Sequence, residues 1–360
     1  MIDEVSTGDQ VHRLGKSIAV RFSGKRGVLS TSPLNGGYRE DLAGVFNNDC
    51  KPDDCGKFEL RTATYEGDLQ LIARELGFDP QKATGLITAA SMDNVSIQNG
   101  SFRELTVTAI VTGGIEINGG RAGDPASYYE ENETYFPITP GTINIILVID
   151  ASLPEWAIAR AMVTCTEAKA AALQELMIAS RYSNGIATGS GTDGTIVISN
   201  RESSLRLTDA GKHSKLGELI GKCVKQAVSQ ALYLQTGVCP KAQHTVLRRV
   251  ERYGINEAKI QDCAHRTERN IQKDKLYQLN HDSSLVVQTS LYVHLLDQLG
   301  WGLLSPEEAE NAGRVLVKGI LELTHVRYTW RPINVQNKEQ AVRDMTENFT
   351  FLLSALAEKW

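Results

Sequence analysis

The 360-residue sequence predicts an α/β (or α+β) core with a mixed sheet, followed by an all-helical C-terminal region. Three observations carry this expectation. Up to about residue 237, short runs rich in β-branched residues alternate with stretches of helical spacing. Two long helical patterns close that part of the chain. Beyond Cys239 no run has strand character, and helical periodicity continues to Trp360. The expected organisation is a core domain over residues 1–238 and a helical domain over residues 239–360, both of ordinary domain size.

Taken in order, residues 18–22 and 27–31 read as short strands separated by a tight turn at Gly24-Lys25. Residues 38–46 read as a short helix and 47–57 as a charged loop. Residues 68–76 have helical spacing and stop at Gly77, a natural C-terminal cap. Residues 85–89, 105–112 and 142–149 read as strands. The last is apolar on both faces, which places it centrally in its sheet. The long polar loop over 113–141 is a length that compact domains usually reserve for function. Ser152-Leu153-Pro154-Glu155 has the capping-box pattern, and Ala159, Met162, Val163, Thr166, Ala170, Leu173 and Met177 form an apolar stripe on the helix after it. A strand over 195–199 follows. A second long helix begins near His213-Ser214 and ends at Gly237; Ser305-Pro306-Glu307-Glu308 starts a later one, and Gly300 stops the helix before it.

Composition excludes several function classes. Apolar residues make up 41% and charged residues 22%, and the formal net charge is -5 with no dense Lys/Arg block, so a nucleic-acid partner is not expected. The most apolar run, residues 143–149, has a strand's length, so no membrane span is expected. The N-terminus carries early acids and no apolar h-region, which argues against a secretory signal. The six scattered cysteines suit reduced thiols in a cytoplasm.

Several segments carry chemistry, each with a plainer reading beside it. Thr31-Ser32-Pro33-Leu34-Asn35-Gly36-Gly37 exposes hydroxyls and amides at a strand's end, or is simply a turn using Asn and Gly for positive φ. Ala187-Thr188-Gly189-Ser190-Gly191-Thr192-Asp193-Gly194 supplies three hydroxyls and a carboxylate on a Gly-rich loop, fit for a nucleophile and its partner or for a flexible connection. Its glycine spacing matches neither a phosphate-binding nor a dinucleotide loop. His213, at a helix entry, would be kept neutral and able to act as a base, or would merely meet solvent. Glu167 interrupts an apolar helix beside its expected buried stripe. There it would need a partner such as Lys169 or Arg160, or would take a raised pKa suited to acid–base work. Cys50 and Cys55, with Asp53 and Asp54, hint at metal but lack a second ligand pair, so no metal is assigned.

These pieces, in this order, resemble the adenosylcobinamide amidohydrolase family of corrinoid salvage. The matching strings are Ser30 to Gly37, Thr88-Ala89-Ala90 with Asn94, Val111-Thr112-Gly113-Gly114, Arg121-Ala122-Gly123-Asp124-Pro125 and Gly141-Thr142-Ile143-Asn144-Ile145. Thr166-Glu167-Ala168-Lys169, Thr188 to Asp193, and His213-Ser214-Lys215-Leu216-Gly217-Glu218-Leu219-Ile220-Gly221 complete them, over residues 18–237. Gly114-Ile115-Glu116-Ile117-Asn118-Gly119-Gly120 departs from the family's small-residue stretch, so loop geometry and substrate range are not carried over there. Nothing is carried over to the helical tail either, for which a cover over the active site and a contact in a homo-oligomer both stay open.

The resemblance implies hydrolysis of the amide joining aminopropanol to the corrin ring of adenosylcobinamide, giving adenosylcobyric acid for cobalamin synthesis. The corrinoid would be the small-molecule partner, and no protein-held cofactor is required. His213 would be the general base, activating water or a hydroxyl of Ser32, Ser190 or Thr192, with Asp193 or Glu167 orienting it. Asn35, Asn144 and the amides of Gly36, Gly189 and Gly191 would bind the substrate, joined by Asn94, Asp124 and Glu218. Two other classes compete: a corrinoid-binding protein without turnover, and a self-processing amidase with Ser190 or Thr192 freed as an N-terminal nucleophile.

Overall fold

The computed structural model describes residues 1–51, 60–126 and 142–360. In chain order the first part contains β1 (Asp3–Glu4), β2 (Gln10–Leu14), β3 (Ser17–Arg21), β4 (Arg26–Ser30), β5 (Gly37–Arg39), β6 (Gly44–Asp49), α1 (Tyr65–Glu75), β7 (Ala83–Thr88), β8 (Ser96–Phe102), β9 (Leu105–Gly114), β10 (Gly119–Gly120), β11 (Thr142–Ile149), α2 (Glu155–Glu175), β12 (Gly189–Ser190), β13 (Gly194–Asn200) and α3 (Lys215–Thr236). The rest is helical: α4 (Val246–Val250), α5 (Glu257–Arg266), α6 (Lys273–His281), α7 (Ser283–Trp301), α8 (Pro306–Thr324) and α9 (Lys338–Lys359). The chain divides into two compact units, Met1–Cys239 and Pro240–Trp360.

The first unit is a layered sandwich built on two mixed sheets. A five-stranded sheet has the order β1-β2-β3-β6-β7, and a six-stranded sheet the order β5-β4-β13-β11-β9-β8. Within them β6–β7 and β11–β13 pair in parallel, the other neighbours antiparallel. Alternation along the strands decides what each face meets. On β11, Ile143, Ile145, Leu147 and Ile149 join the core formed with α2 and α3, while Ile146 and Val148 join the core between the sheets. All eight β11 residues are buried, in keeping with a central strand. α1 covers the outer face of the five-stranded sheet through Leu69, Ile72 and Ala73 against Ala19, Phe46 and Ile87.

Local expectations fail in instructive places. Residues 38–46 are not a helix: Tyr38 pairs with Leu29 in one sheet, and Val45 and Phe46 pair with Val20 and Ala19 in the other. Long-range ladder pairing and burial override the local pattern there. The turn at Gly24-Lys25 does not close a hairpin; it carries the chain from the five-stranded to the six-stranded sheet. The capping box at Ser152 does not form. Ser152 instead bridges to Arg206, Leu153 N–H donates to Ser199 Oγ at 2.9 Å, and Pro154 caps α2 with no side-chain bond. At Ser305 the same pattern does form, with both reciprocal bonds to Glu308. The stop expected at Gly300 falls at Gly302, left-handed at φ 75°.

The stripe expected on α2 is out of phase. Ala159, Val163 and Thr166 are exposed, and the buried face is Ala157, Ile158, Ala161, Thr164, Cys165, Ala168, Lys169, Ala172 and Leu173. Alanines lie on both faces of this helix, so the apolar contrast that marks the phase is weak.

The helical unit is organised around α9, where every residue from Asn348 to Ala357 is buried. Tyr292 stacks on Phe349 with ring centroids 4.3 Å apart. Arg252 forks onto Asp297 with two 2.5 Å bonds, and the Tyr253 hydroxyl donates to the same carboxylate at 2.8 Å. Among the described residues no helix is long and apolar enough to cross a membrane.

Candidate active site

The topology brings most of the polar strings to one end of the six-stranded sheet. β4 ends there at Ser30, β9 ends at Gly114, and β11 and β13 begin there at Thr142 and Gly194. Thr31 ties its loop to this end: its N–H donates to the Thr195 carbonyl at 3.1 Å, and its Oγ1 accepts from Thr195 N–H at 3.0 Å.

The centre of the cluster is the Asp193 carboxylate. Oδ1 accepts from Ser190 Oγ at 2.6 Å and from Ile143 N–H at 2.9 Å. Oδ2 accepts from Ser190 N–H at 3.0 Å and from Lys169 Nζ. Lys169 reaches it from the buried face of α2, and the two side chains are 10% and 11% exposed, so the charges meet largely out of water. Thr192 Oγ1 bonds to Thr142 Oγ1 and lies 3.4 Å from Ser190 Oγ. Gly189 leaves room for the Lys169–Asp193 pair. A Cβ there would overlap Asp193 Oδ2 and sit 2.8 Å from Lys169 Nζ. Gly191, next along the chain, is exposed, and among the described residues nothing lies within 4 Å of where its Cβ would be.

The neighbouring loops are tied to the same place. β12 pairs with β10, and Ala122 N–H donates to Thr188 Oγ1 at 2.9 Å. Asp124 closes its own turn by accepting from Arg121 N–H at 2.7 Å and Ser180 Oγ at 2.6 Å. Burial pushes the Asp124 carboxyl up, but hydrogen bonds from Ser180 and Ser183 outweigh it and leave the group below its usual range. Asn94 and Ser91 N–H both donate to Gln235 Oε1 of α3, at 2.9 and 3.0 Å, and Gln235 lies beside Gly114.

Several expected ligand-binding residues are instead committed to the framework. Asn144 is 2% exposed; its amide donates to Asn47 Oδ1 at 2.8 Å and to the Ile87 carbonyl at 3.1 Å, and its oxygen accepts from Gly194 N–H at 3.0 Å. It bolts the two sheets together and has no group left for a substrate carbonyl. Asn35, left-handed at φ 49°, donates to the Pro80 and Ala83 carbonyls at 2.6 and 2.7 Å. Ser32 is buried, its Oγ accepting from Leu34 N–H at 3.1 Å, and Gly36 must be glycine because the Ser32 carbonyl occupies the place of a Cβ.

Three predicted residues lie elsewhere. His213 is exposed in the turn before α3, whose cap is Ser214. At that end of the helix Lys215 sits over Phe102, whereas Leu232 lies against Gly113, the neighbour of Ile143 and hence of Asp193. The 17 steps from Lys215 to Leu232 span about 25 Å of helix, so the expected pairing of His213 with Asp193 is not formed. Glu167 is not buried. It is 45% exposed and pairs with Lys212 at 2.8 Å, which lowers its pKa rather than raising it. Glu218 pairs with Lys215 and Lys222, which bring its carboxyl down to about 2. The helical phase error on α2 misplaced Glu167, and it also hid Lys169, whose signal was a lysine at a position otherwise filled by buried alanines.

Other nucleophiles recede. Burial pushes the thiols of Cys50 and Cys165 up to about 12 and that of Cys223 to about 11, far from a reactive thiolate. Among the described residues no group of three or more His, Cys, Asp or Glu is placed to hold a metal ion. Asp53, Asp54 and Cys55, and residues 127–141 of the long polar loop, lie outside the described residues.

Comparison with known proteins gives the site its context. The sequence is 35% identical over 231 residues to an uncharacterized protein, MJ1613, of Methanocaldococcus jannaschii, a match covering 61% of this chain and 87% of that one. The crystal structure of the PH0078 protein from Pyrococcus horikoshii OT3 covers 69% of this chain and 92% of its own at 15% identity, with a TM-score of 0.31, too distant to inform the architecture. The family model described as adenosylcobinamide amidohydrolase matches residues 2–240, which include both sheets and the whole Asp193 cluster. The chain belongs to the adenosylcobinamide amidohydrolase family.

Proposed function

We propose that this protein hydrolyses the amide between aminopropanol and the corrin ring of adenosylcobinamide, releasing the amine and adenosylcobyric acid. The observation that carries the reading is the 2.6 Å bond from Ser190 Oγ to Asp193 Oδ1, in the Gly-rich segment inside the family match. Ser190 Oγ attacks the amide carbonyl while its proton passes to Asp193. Collapse of the tetrahedral intermediate breaks the C–N bond, and Asp193 returns the proton to the departing nitrogen. Water then attacks the Ser190 ester by the same proton route, freeing the carboxylate and restoring the hydroxyl. Thr192, bonded to Thr142 and close to Ser190, limits the rotamers of the attacking group. The corrinoid is the substrate, and the scheme draws on no resident cofactor.

The test is incubation of the purified protein with adenosylcobinamide, following the corrinoid by liquid chromatography and mass spectrometry. Loss of the aminopropanol mass with gain of a free carboxylate is the expected result. A corrinoid that binds, seen as a shift in its visible spectrum, yet stays intact would overturn hydrolysis in favour of a binding role.

A further inference from the structure

We infer that Lys169 is a positioning residue for this hydrolysis, acting through Asp193; the inference rests on the serine mechanism above. Among the described residues it is the one buried lysine, and its neighbours on that face of α2 are Cys165, Ala168, Ala172 and Leu173. A lysine costs solvation in such a place, and a buried ion pair is a poor source of net stability compared with apolar packing. Its geometry suggests another role. Asp193 has two oxygens with different tasks: Oδ2 is held by Lys169 Nζ and Ser190 N–H, which leaves Oδ1 aimed at the Ser190 hydroxyl and Ile143 N–H. Without Lys169 the carboxylate loses one of the two anchors on Oδ2 and can rotate away from the attacking oxygen.

The arrangement also explains Gly189. Its missing side chain is the space through which Lys169 reaches Asp193, so Gly189 of β12, Lys169 of α2 and Asp193 in the turn before β13 form one unit. Gly189 is paired with Gly120 on β10, which keeps its backbone from drifting into the space.

The experiment compares wild type, Lys169→Met, Lys169→Arg and Lys169→Ala on adenosylcobinamide, with kcat and KM taken per folded molecule and thermal unfolding measured for each. Lys169→Met is expected to lower kcat about 100-fold, the scale of a misplaced catalytic group, while KM moves less than about threefold. Lys169→Arg keeps a charged donor and is expected to recover part of kcat. For Lys169→Ala, added methylammonium is expected to raise kcat, an effect that a purely structural lysine would not produce. A folded Lys169→Met with kcat within about threefold of an active wild type overturns the inference alone. Losses that merely follow the folded fraction, with no recovery in Lys169→Arg or with methylammonium, overturn it too. A wild type that leaves adenosylcobinamide intact overturns both the hydrolysis and the inference.

Discussion

Glu167 and Lys169 stand two residues apart on α2, yet their surroundings have little in common. Two steps along an α-helix turn a side chain by about 200°, so the pair must face nearly opposite ways. Glu167 meets Lys212 at the surface with both side chains about half exposed, whereas Lys169 meets Asp193 with both nearly buried. An exposed pair of this kind exchanges water for a partner at little gain. The buried pair has no such exchange to fall back on, and it is wired onward to Ser190 and Ile143. The charge type on the helix says little about function; the face and the next bond in the chain say much more.

Mutating both sides puts this contrast to its strongest test. Asp193→Asn and Ser190→Ala are expected to lower kcat on adenosylcobinamide by about 100-fold to 10,000-fold, while His213→Ala and Glu167→Gln stay within about threefold of wild type. Steady-state kinetics decides it: a large loss in His213→Ala would return the base to the helix entry and remove Asp193 from that role.

A smaller effect tests the packing of the buried pair. Gly189→Ala places a methyl against Asp193 and Lys169, and overpacking of this sort costs about 2 kcal/mol. In a chain of 360 residues that is a fall of about 3 °C in the melting temperature. Calorimetry reads it, and an unchanged Tm would mean that the Lys169–Asp193 pair yields easily.

The smallest effect lies at the surface. Salt bridges to Lys215 and Lys222 depress Glu218 to about 2, below its unfolded value of about 4.3. A depressed carboxyl contributes stability above the unfolded pKa and loses it as pH falls toward 2. Because the Glu218 side chain is 39% exposed, Glu218→Gln should lower Tm by no more than about 1 °C at pH 7, and the gap should close on acidification or in high salt. A larger gap at pH 7 would place Glu218 in a tighter network than its surface position implies.

Much of the architecture is readable in the residues. β11 announces itself by an apolar run that proves buried at all eight positions, α3 by its apolar spacing and its Ser214 and Gly237 ends, and the helical tail by the lack of strand-forming runs. The site is readable only in part. The Gly-rich string with Ser190, Thr192 and Asp193 stands out by composition alone. Its partner does not, because α2 is alanine-rich on both faces and its phase cannot be set from contrast. Strand β8, Ser96–Phe102, is polar and contains Gly100, so it resembles a loop until pairing with β9 supplies its ladder.

Residue order along the chain is enough for the mixed core, the helical tail, the family and the Gly-rich loop, since periodicity, capping residues and local strings are properties of neighbours in sequence. Three-dimensional packing was needed to make Asn144 a bolt between sheets, to leave His213 facing solvent about 25 Å of helix from the cluster, and to join Lys169 to Asp193. Those outcomes depend on which distant residues share a sheet end and on the rotation of one helix, and both are settled by burial against the rest of the fold.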